Sequence, residues 1–380
     1  VPRALIWVQS LLGTGHLRRM LVLAGALARR GFAVTVANGG APAPWPAAEG
    51  VELVQLEPLV AADSSFSGLV DPAGRPPGEG LWQARRQRLD TLARTLRPEL
   101  VLVEMFPFGR RAFARELLPW LGGLREERPG TVFVSSVRDV LVSKPDPRRY
   151  ERMAELVRRF FDLVLVHADP ALVPFGESFP PLRAIQDRLR YAGYLVTPTD
   201  PPVAGERSGV VVSAGGGAVG SRLLALALEA RALGRLAGEP WTLVCGPRAD
   251  PAALAALQAE AGEGVRVLAH DPDLPARIAR ARVSVSQAGY NTVAEALMAG
   301  TPMVLVPFAR DGEDEQTRRA LRLAERGFAQ VLQERELEPA ALARAVDAAA
   351  GSARPRLRVA IDGGERAAAL LAAAVGGGRP

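Results

Sequence analysis

What the chain has little of narrows its chemistry first. Cys245 is its only cysteine, which excludes a disulfide framework and a cysteine-rich metal cluster. Lys144 is its only lysine, so the basic side of a formal charge of +6 is almost wholly arginine. Arginine's planar fork suits phosphates and carboxylates. The groups Arg85-Arg86-Gln87-Arg88, Arg110-Arg111 and Arg148-Arg149, however, are interspersed with acids at helical spacing and read as solvated helix faces, with an anionic acceptor or lipid surface as the alternative. No interleaving of aromatic and basic residues accompanies them, which sets nucleic-acid binding aside. No apolar run approaches about 18 residues, and the first residues lack a basic segment followed by an apolar core and a cleavage site. The expectation is a cytoplasmic chain, free or held peripherally at the inner face of the cell membrane.

What is there is an alternation. At 380 residues and 48% apolar content the chain can build two cores rather than one. Short β-rich runs begin at Ala4, Ala33, Val51, Leu100, Thr131 and Asp162, with helical stretches such as Leu81–Leu96 and Arg148–Phe160 between them. The pattern dissolves over Thr197–Gly209 and restarts with runs at Val210, Trp241, Val265, Val283 and Pro302. Strands that alternate with helices form mostly parallel, helix-covered sheets. The expected fold class is α/β, two Rossmann-like domains whose parallel sheets face across a cleft. Residues 1–200 make the first domain and 201–380 the second. The terminal helices, Glu338–Ala350 and Gly363–Ala374, pack on one of the two, the N-terminal domain included.

Three loops carry chemistry. After the first strand, Gly13-Thr14-Gly15-His16-Leu17-Arg18-Arg19 puts one of only three histidines and two arginines at a helix start, where unpaired amides favour an anion or a reacting oxygen. Ser213-Ala214-Gly215-Gly216-Gly217 follows the first strand of the second half. Its glycines allow close approach to phosphate, although it lacks the lysine of a Walker loop and the spacing of a dinucleotide fingerprint. In Ser286-Gln287-Ala288-Gly289-Tyr290-Asn291-Thr292, Gly289 turns the chain and Asn291 or Thr292 caps the next helix. Glu295 then has two oxygens for a ribose diol, or is an ordinary capping glutamate. Glu315 and Gln316, at the following strand-to-helix transition, can meet sugar hydroxyls. His270, after another strand, reads as a turn, with direct ligand contact as the alternative.

On Gly13-Thr14-Gly15-His16, Ser213–Gly217, Gln287–Glu295 and Asp314-Glu315-Gln316, the chain resembles two-domain (GT-B) nucleotide-sugar glycosyltransferases of the MurG-like family with a family 28 C-terminal domain, in an uncharacterised bacterial branch. The resemblance spans nearly the whole chain. It implies a UDP-sugar in the second domain. Gly215, Gly216, Gly217 and Gly289–Thr292 would lie at the diphosphate, Glu295 at the ribose, Glu315 and Gln316 at the donor sugar, and Pro272–Leu274 beside the uracil. Gly13, Gly15 and His16 would stand at the donor–acceptor junction. The loop at His16 is shorter than the family's glycine-rich loop.

The activity expected is inverting transfer to a hydroxyl acceptor, lipid-linked or anionic, with no required cofactor or metal. Neutral His16 is the candidate base. Glu104 and Asp139, each just after a strand, are acids that line the cleft and bind substrate or are structural; Asp139 is the one that could orient His16 or replace it as base. Arg18 and Arg19 are candidate contacts for phosphate or acceptor anions, or surface residues of the helix. His167 and Asp169 lack a third partner for a metal. The rivals are a UDP-sugar hydrolase of the nonulosonate-pathway type, a nucleotide-sugar 2-epimerase, and a non-catalytic sugar-nucleotide-binding protein.

Overall fold

The apolar runs become strands buried on both faces, which is why several read as continuous rather than alternating hydrophobic segments. The computed structural model describes residues 1–42, 47–63, 67–197, 207–214, 220–246, 249–308, 314–353, 355 and 357–377. Their contacts divide the chain into two units. Unit 1 comprises Val1–Pro170, Pro174–Leu195 and Asp362–Pro380; unit 2 comprises Ala171–Val173 and Val196–Ile361.

Unit 1 opens with β1 (Arg3–Val8), α1 (Gly15–Arg29), β2 (Ala33–Asn38) and β3 (Val51–Gln55), followed by a small antiparallel hairpin of β4 (Val60–Ala61) and β5 (Leu69–Val70). It continues through α2 (Glu79–Leu96), β6 (Leu100–Glu104), α3 (Ala114–Glu127), β7 (Val132–Arg138), α4 (Arg148–Phe160), β8 (Leu163–His167) and β9 (Leu189–Tyr191). The seven-stranded sheet has the order β3-β2-β1-β6-β7-β8-β9, with every pairing parallel. Alternation along β1 explains its two cores. Ala4, Ile6 and Val8 pack with Met20, Leu23 and Leu27 of α1, whereas Leu5 and Trp7 pack with Trp82 and Leu89 of α2 and Leu117 and Leu121 of α3.

Unit 2 repeats the plan. Its elements are β10 (Val210–Ser213), α5 (Ser221–Leu233), β11 (Trp241–Val244), α6 (Pro251–Glu260), β12 (Val265–Leu268), α7 (Leu274–Arg280), β13 (Val283–Ser286), α8 (Tyr290–Ala299), β14 (Met303–Leu305), α9 (Glu315–Glu325), β15 (Ala329–Val331) and α10 (Pro339–Ala350). The six-stranded sheet is again parallel, in the order β12-β11-β10-β13-β14-β15. Helices α5 and α10 cover one face through Leu223, Ala227, Leu342 and Val346, over Val210, Val212 and Leu243.

The last helix, α11 (Gly363–Gly376), belongs to unit 1. It lays Ala367, Ala368 and Leu371 into the core beside α1, and the Gly363 amide donates to the Tyr194 carbonyl at 3.0 Å. No helix among the described residues is long and apolar enough to cross a membrane.

Both sheets reverse direction once. In unit 1 the chain winds outward from β1 to β2 and β3, then returns to place β6 on the other side of β1. In unit 2 the reversal falls between β10 and β13. Loops diverge at such switch points and leave a crevice at the carboxyl ends of the strands, where open α/β sheets bind ligands.

Candidate functional site

At the first switch point, Gly13 adopts a left-handed φ of +93° that lets the chain leave β1 and enter α1 at Gly15. His16 is thereby the second residue of the helix. Its Nδ1 lies 2.6 Å from Glu104 Oε1, the last residue of the neighbouring strand β6. Arg19, one turn further along α1, directs its guanidinium to the same carboxylate oxygen. Glu104 is fully buried and Arg19 is 3% exposed. One carboxylate therefore holds both an imidazole and a guanidinium at the carboxyl edge of the sheet.

Electrostatics fix the protonation states. Burial holds His16 well below its ordinary 6.5, at about 3; Glu104 pulls the other way, and the Arg110 and Arg19 charges add to the lowering. For Glu104 burial is again the largest influence and favours the neutral acid, but His16, Arg19 and Arg110 outweigh it and bring the carboxyl down to about 2. Near neutral pH the pair is a neutral imidazole and a carboxylate. A carboxylate can only accept, so Nδ1 carries the proton and donates it. Nε2 then carries the lone pair, has no hydrogen-bond partner among the described residues, and belongs to a side chain that keeps 21% of its surface exposed. A histidine with one nitrogen tied to a buried acid and the other open is arranged to accept a proton.

A second layer sets the loop. Arg110 Nε donates to the Gln9 carbonyl at 2.7 Å, just past β1. The fully buried Arg85 donates to Gln9 Oε1 at 3.0 Å, to the Gly39 and Glu57 carbonyls at 3.2 and 2.5 Å, and to both oxygens of Glu116 at 2.7 and 2.9 Å. The solvated-face reading holds for Arg88, Arg148 and Arg149, which are exposed, and fails for Arg85. The pattern of the helix carries the signal: Arg85 lies on the stripe Trp82, Arg85, Leu89, Ala93 of α2, the face this helix buries.

Other candidates of the first unit take separate places. Asp139 is fully buried just after β7, and its Oδ1 accepts from the Val140 amide at 2.9 Å. His167, at the end of β8, is fully buried with Nε2 2.6 Å from Ser136 Oγ, and burial holds it at about 3. Arg19 serves the interior through Glu104, while Arg18 is partly exposed on α1. No group of three or more metal-ligating side chains gathers among the described residues.

In unit 2 the loop Gln287–Gly289 runs from β13 into α8. Gly289 is the N-cap in an extended conformation, φ −67° and ψ 141°, and has no side chain with which to cap. Asn291 and Thr292 lie inside the helix rather than at its cap, because the N-cap is Gly289, two residues before Asn291 and three before Thr292. Glu295 follows on the second turn of α8 and is 6% exposed.

Behind the loop stands Arg319 of α9, fully buried. It donates to the Ala288 carbonyl and to Glu315 Oε1, both at 2.7 Å, and its guanidinium lies 5.9 Å from the centroid of the Tyr290 ring. Glu315 thus anchors the arginine that holds the β13–α8 loop. Gln316 Oε1 accepts from the Phe308 amide at 3.0 Å and ties down the end of the segment after β14. His270 is exposed after β12, the edge strand. Three strand spacings, about 14 Å, separate that strand from β13. Gly215, Gly216 and Gly217 lie outside the described residues.

Two parallel sheets, each covered by helices and each with one reversal of strand order, define a GT-B architecture. Residues 211–358 match the glycosyltransferase family 28 C-terminal domain. The chain is 32% identical over 206 residues to a UDP-N-acetylglucosamine–N-acetylmuramyl-(pentapeptide) pyrophosphoryl-undecaprenol N-acetylglucosamine transferase of Methylibium petroleiphilum, covering 48% of this chain and 55% of that one. It is 33% identical over 157 residues to the transferase of the same name from Aromatoleum aromaticum, covering 41% and 44%. The chain therefore spans about half the length of these relatives.

Solved structures reach further. A calicheamicin glycosyltransferase superposes with a TM-score of 0.63 at 22% identity, covering 99% of this chain and 98% of that one. The MurG of Acinetobacter baumannii superposes at 0.56 and 17%, covering 98% and 99%. At such identities the likeness concerns the fold. The second unit thus carries the family 28 C-terminal domain, the whole chain has the GT-B fold, and about half of it is similar in sequence to these MurG-type transferases.

Proposed function

We propose that this chain is an inverting glycosyltransferase that moves a sugar from a UDP-sugar to a hydroxyl acceptor. The observation that carries the reading is the 2.6 Å contact between His16 Nδ1 and Glu104, with Nε2 left open at the switch point of the first sheet. In the reaction, Nε2 takes the proton of the acceptor hydroxyl as its oxygen bonds to the anomeric carbon. The bond from that carbon to the diphosphate oxygen breaks, and its electron pair leaves with the nucleoside diphosphate. The attacking oxygen enters opposite the leaving group, so the configuration inverts. The buried Glu104 carboxylate steadies the imidazolium that forms.

In this reading the second unit holds the donor. The start of α8 faces the diphosphate, where helix-start N–H groups stabilise negative charge. Glu295 accepts from the ribose hydroxyls, and Gln316 meets the sugar. Glu315 acts through Arg319, which keeps the Ala288 carbonyl and hence the loop in place. The curated relatives carry UDP-N-acetylglucosamine and a pyrophosphoryl-undecaprenol acceptor in their names. UDP-sugars and lipid-linked, anionic alcohols are therefore the classes to try first, with a peripheral position at the inner membrane face as the matching location.

A donor panel that scores diphosphate release, free sugar and glycoside separately tests the proposal. Donor-dependent UDP release with a new, inverted glycoside is expected. Stoichiometric free sugar that no acceptor suppresses would make water the nucleophile and the chain a hydrolase.

A further inference from the structure

The sheet of unit 2 is covered unevenly. Helices α5 and α10 pack over one face. The other face carries Val211, Thr242 and Arg266, which alternate with the core residues of β10, β11 and β12. The crossover from β12 to β13 is α7, a helix of only seven residues. Under it lies a cavity of about 530 Å³, a size typical of small-molecule pockets. Its lining takes in the first residues of β10, β11 and β12, so it sits at the amino ends of the strands, opposite the loops assigned to the nucleotide.

The walls are cationic. Asp273, Arg277 and Arg280 come from one stripe of α7 and its cap, and Arg266 faces them from β12. Arg277 is already neutralised: its Nε donates to the buried Asp271 at 2.5 Å. Arg266 and Arg280 have no hydrogen bond or ion pair from either guanidinium among the described residues, and the half-buried Thr242 hydroxyl between the strands has no partner there. Asp273 is the one acid in the lining. Two uncommitted guanidinium forks and a hydroxyl donor around a pocket larger than a simple ion match a phosphate carried on a small molecule.

We propose that this cavity is a second ligand site, for a small phosphomonoester, with Arg266 and Arg280 gripping the phosphate and Thr242 donating to it. The site lies within unit 2 and is separate from the donor crevice.

The test is calorimetric titration of the full chain with glycerol 3-phosphate, with glycerol as the uncharged control, in the presence and absence of saturating UDP. Saturable binding that persists under UDP is expected. The Arg266→Gln/Arg280→Gln double variant, altered only at exposed positions, should bind about tenfold or more weakly while its UDP affinity stays at the wild-type value. Equal glycerol 3-phosphate affinity in the double variant overturns the site, as does loss of binding when UDP is added, or no saturable binding at all. Loss of UDP binding in the wild type would count against the donor assignment and leave this test readable without UDP.

Discussion

Replacing Glu104 by glutamine removes one charge and almost no volume, and two consequences can be separated. The first is structural. Arg19, at 3% exposure, loses the carboxylate it faces. A buried pair broken on one side typically costs about 3–5 kcal/mol. Domains of ordinary stability hold about 5–15 kcal/mol, so the variant should fold with a lowered denaturation midpoint. The second is chemical. Glutamine can offer Nδ1 either its carbonyl or its amide, and in the second case the proton moves to Nε2, where the base must be empty. Even with the carbonyl in place, no negative charge steadies the imidazolium.

A turnover loss of about 10²–10⁴ is expected, the range general-base assistance supplies. UDP affinity should not change, because the residues proposed to hold the donor are in the other unit. The assay is steady-state UDP release with the best donor, beside calorimetric UDP binding and urea denaturation of the same preparation. Combining Arg19→Met with Glu104→Gln removes the stranded charge, so stability should return while turnover stays low. Turnover within about threefold of wild type in a folded Glu104→Gln protein would refute the dyad.

Stability should also depend on pH through the half-buried His16 and the fully buried His167. His16 and His167 are both held at about 3 when folded and return to 6.5 when unfolded. Their contribution is complete above pH 6.5 and falls as the unfolded chain takes up protons below it, by about 1.4 kcal/mol per pH unit for each histidine. Glu104, held at about 2, adds its own loss as pH drops below 4.5. Urea midpoints from pH 7 to 5 should be flatter for His167→Gln, and an unchanged slope would contradict this. Arg85→Met strands the Glu116 carboxylate and should destabilise by about 3–5 kcal/mol; a change under about 1 kcal/mol would show the network to be dispensable. Glu295→Ala should weaken UDP binding about tenfold or more with little effect on turnover at saturation, and unaltered affinity would remove the ribose assignment.

The fold is largely legible in the order of residues, the site only in part. Uniformly apolar runs such as Leu100–Val103 announce burial on both faces, and the break in the pattern at Thr197 lies just past Leu195, where the chain leaves unit 1. The helix Ala114–Glu127 is hidden by Pro119 and by Gly122-Gly123. It forms because Leu117, Trp120, Leu121 and Leu124 make one buried stripe that outweighs local propensity. The edge strands Leu189–Tyr191 and Ala329–Val331 are three residues each, too short for a periodic signal. His16 stands out by its place after a glycine turn. That Glu104 rather than Asp139 holds it is not legible, because pairing across β1 and β6 depends on strand order. The same dependence on order conceals Arg319, which acts on Ala288, 31 positions away, across a helix and a strand.

The central claim divides labour: the first unit moves the proton and the second holds the nucleotide. His16→Ala, with UDP affinity and turnover measured on one sample, tests it most directly. Turnover should fall by about 10²–10⁴ while UDP binds as in the wild type. Lost UDP affinity with turnover intact at donor saturation would contradict the account and make His16 a binding residue.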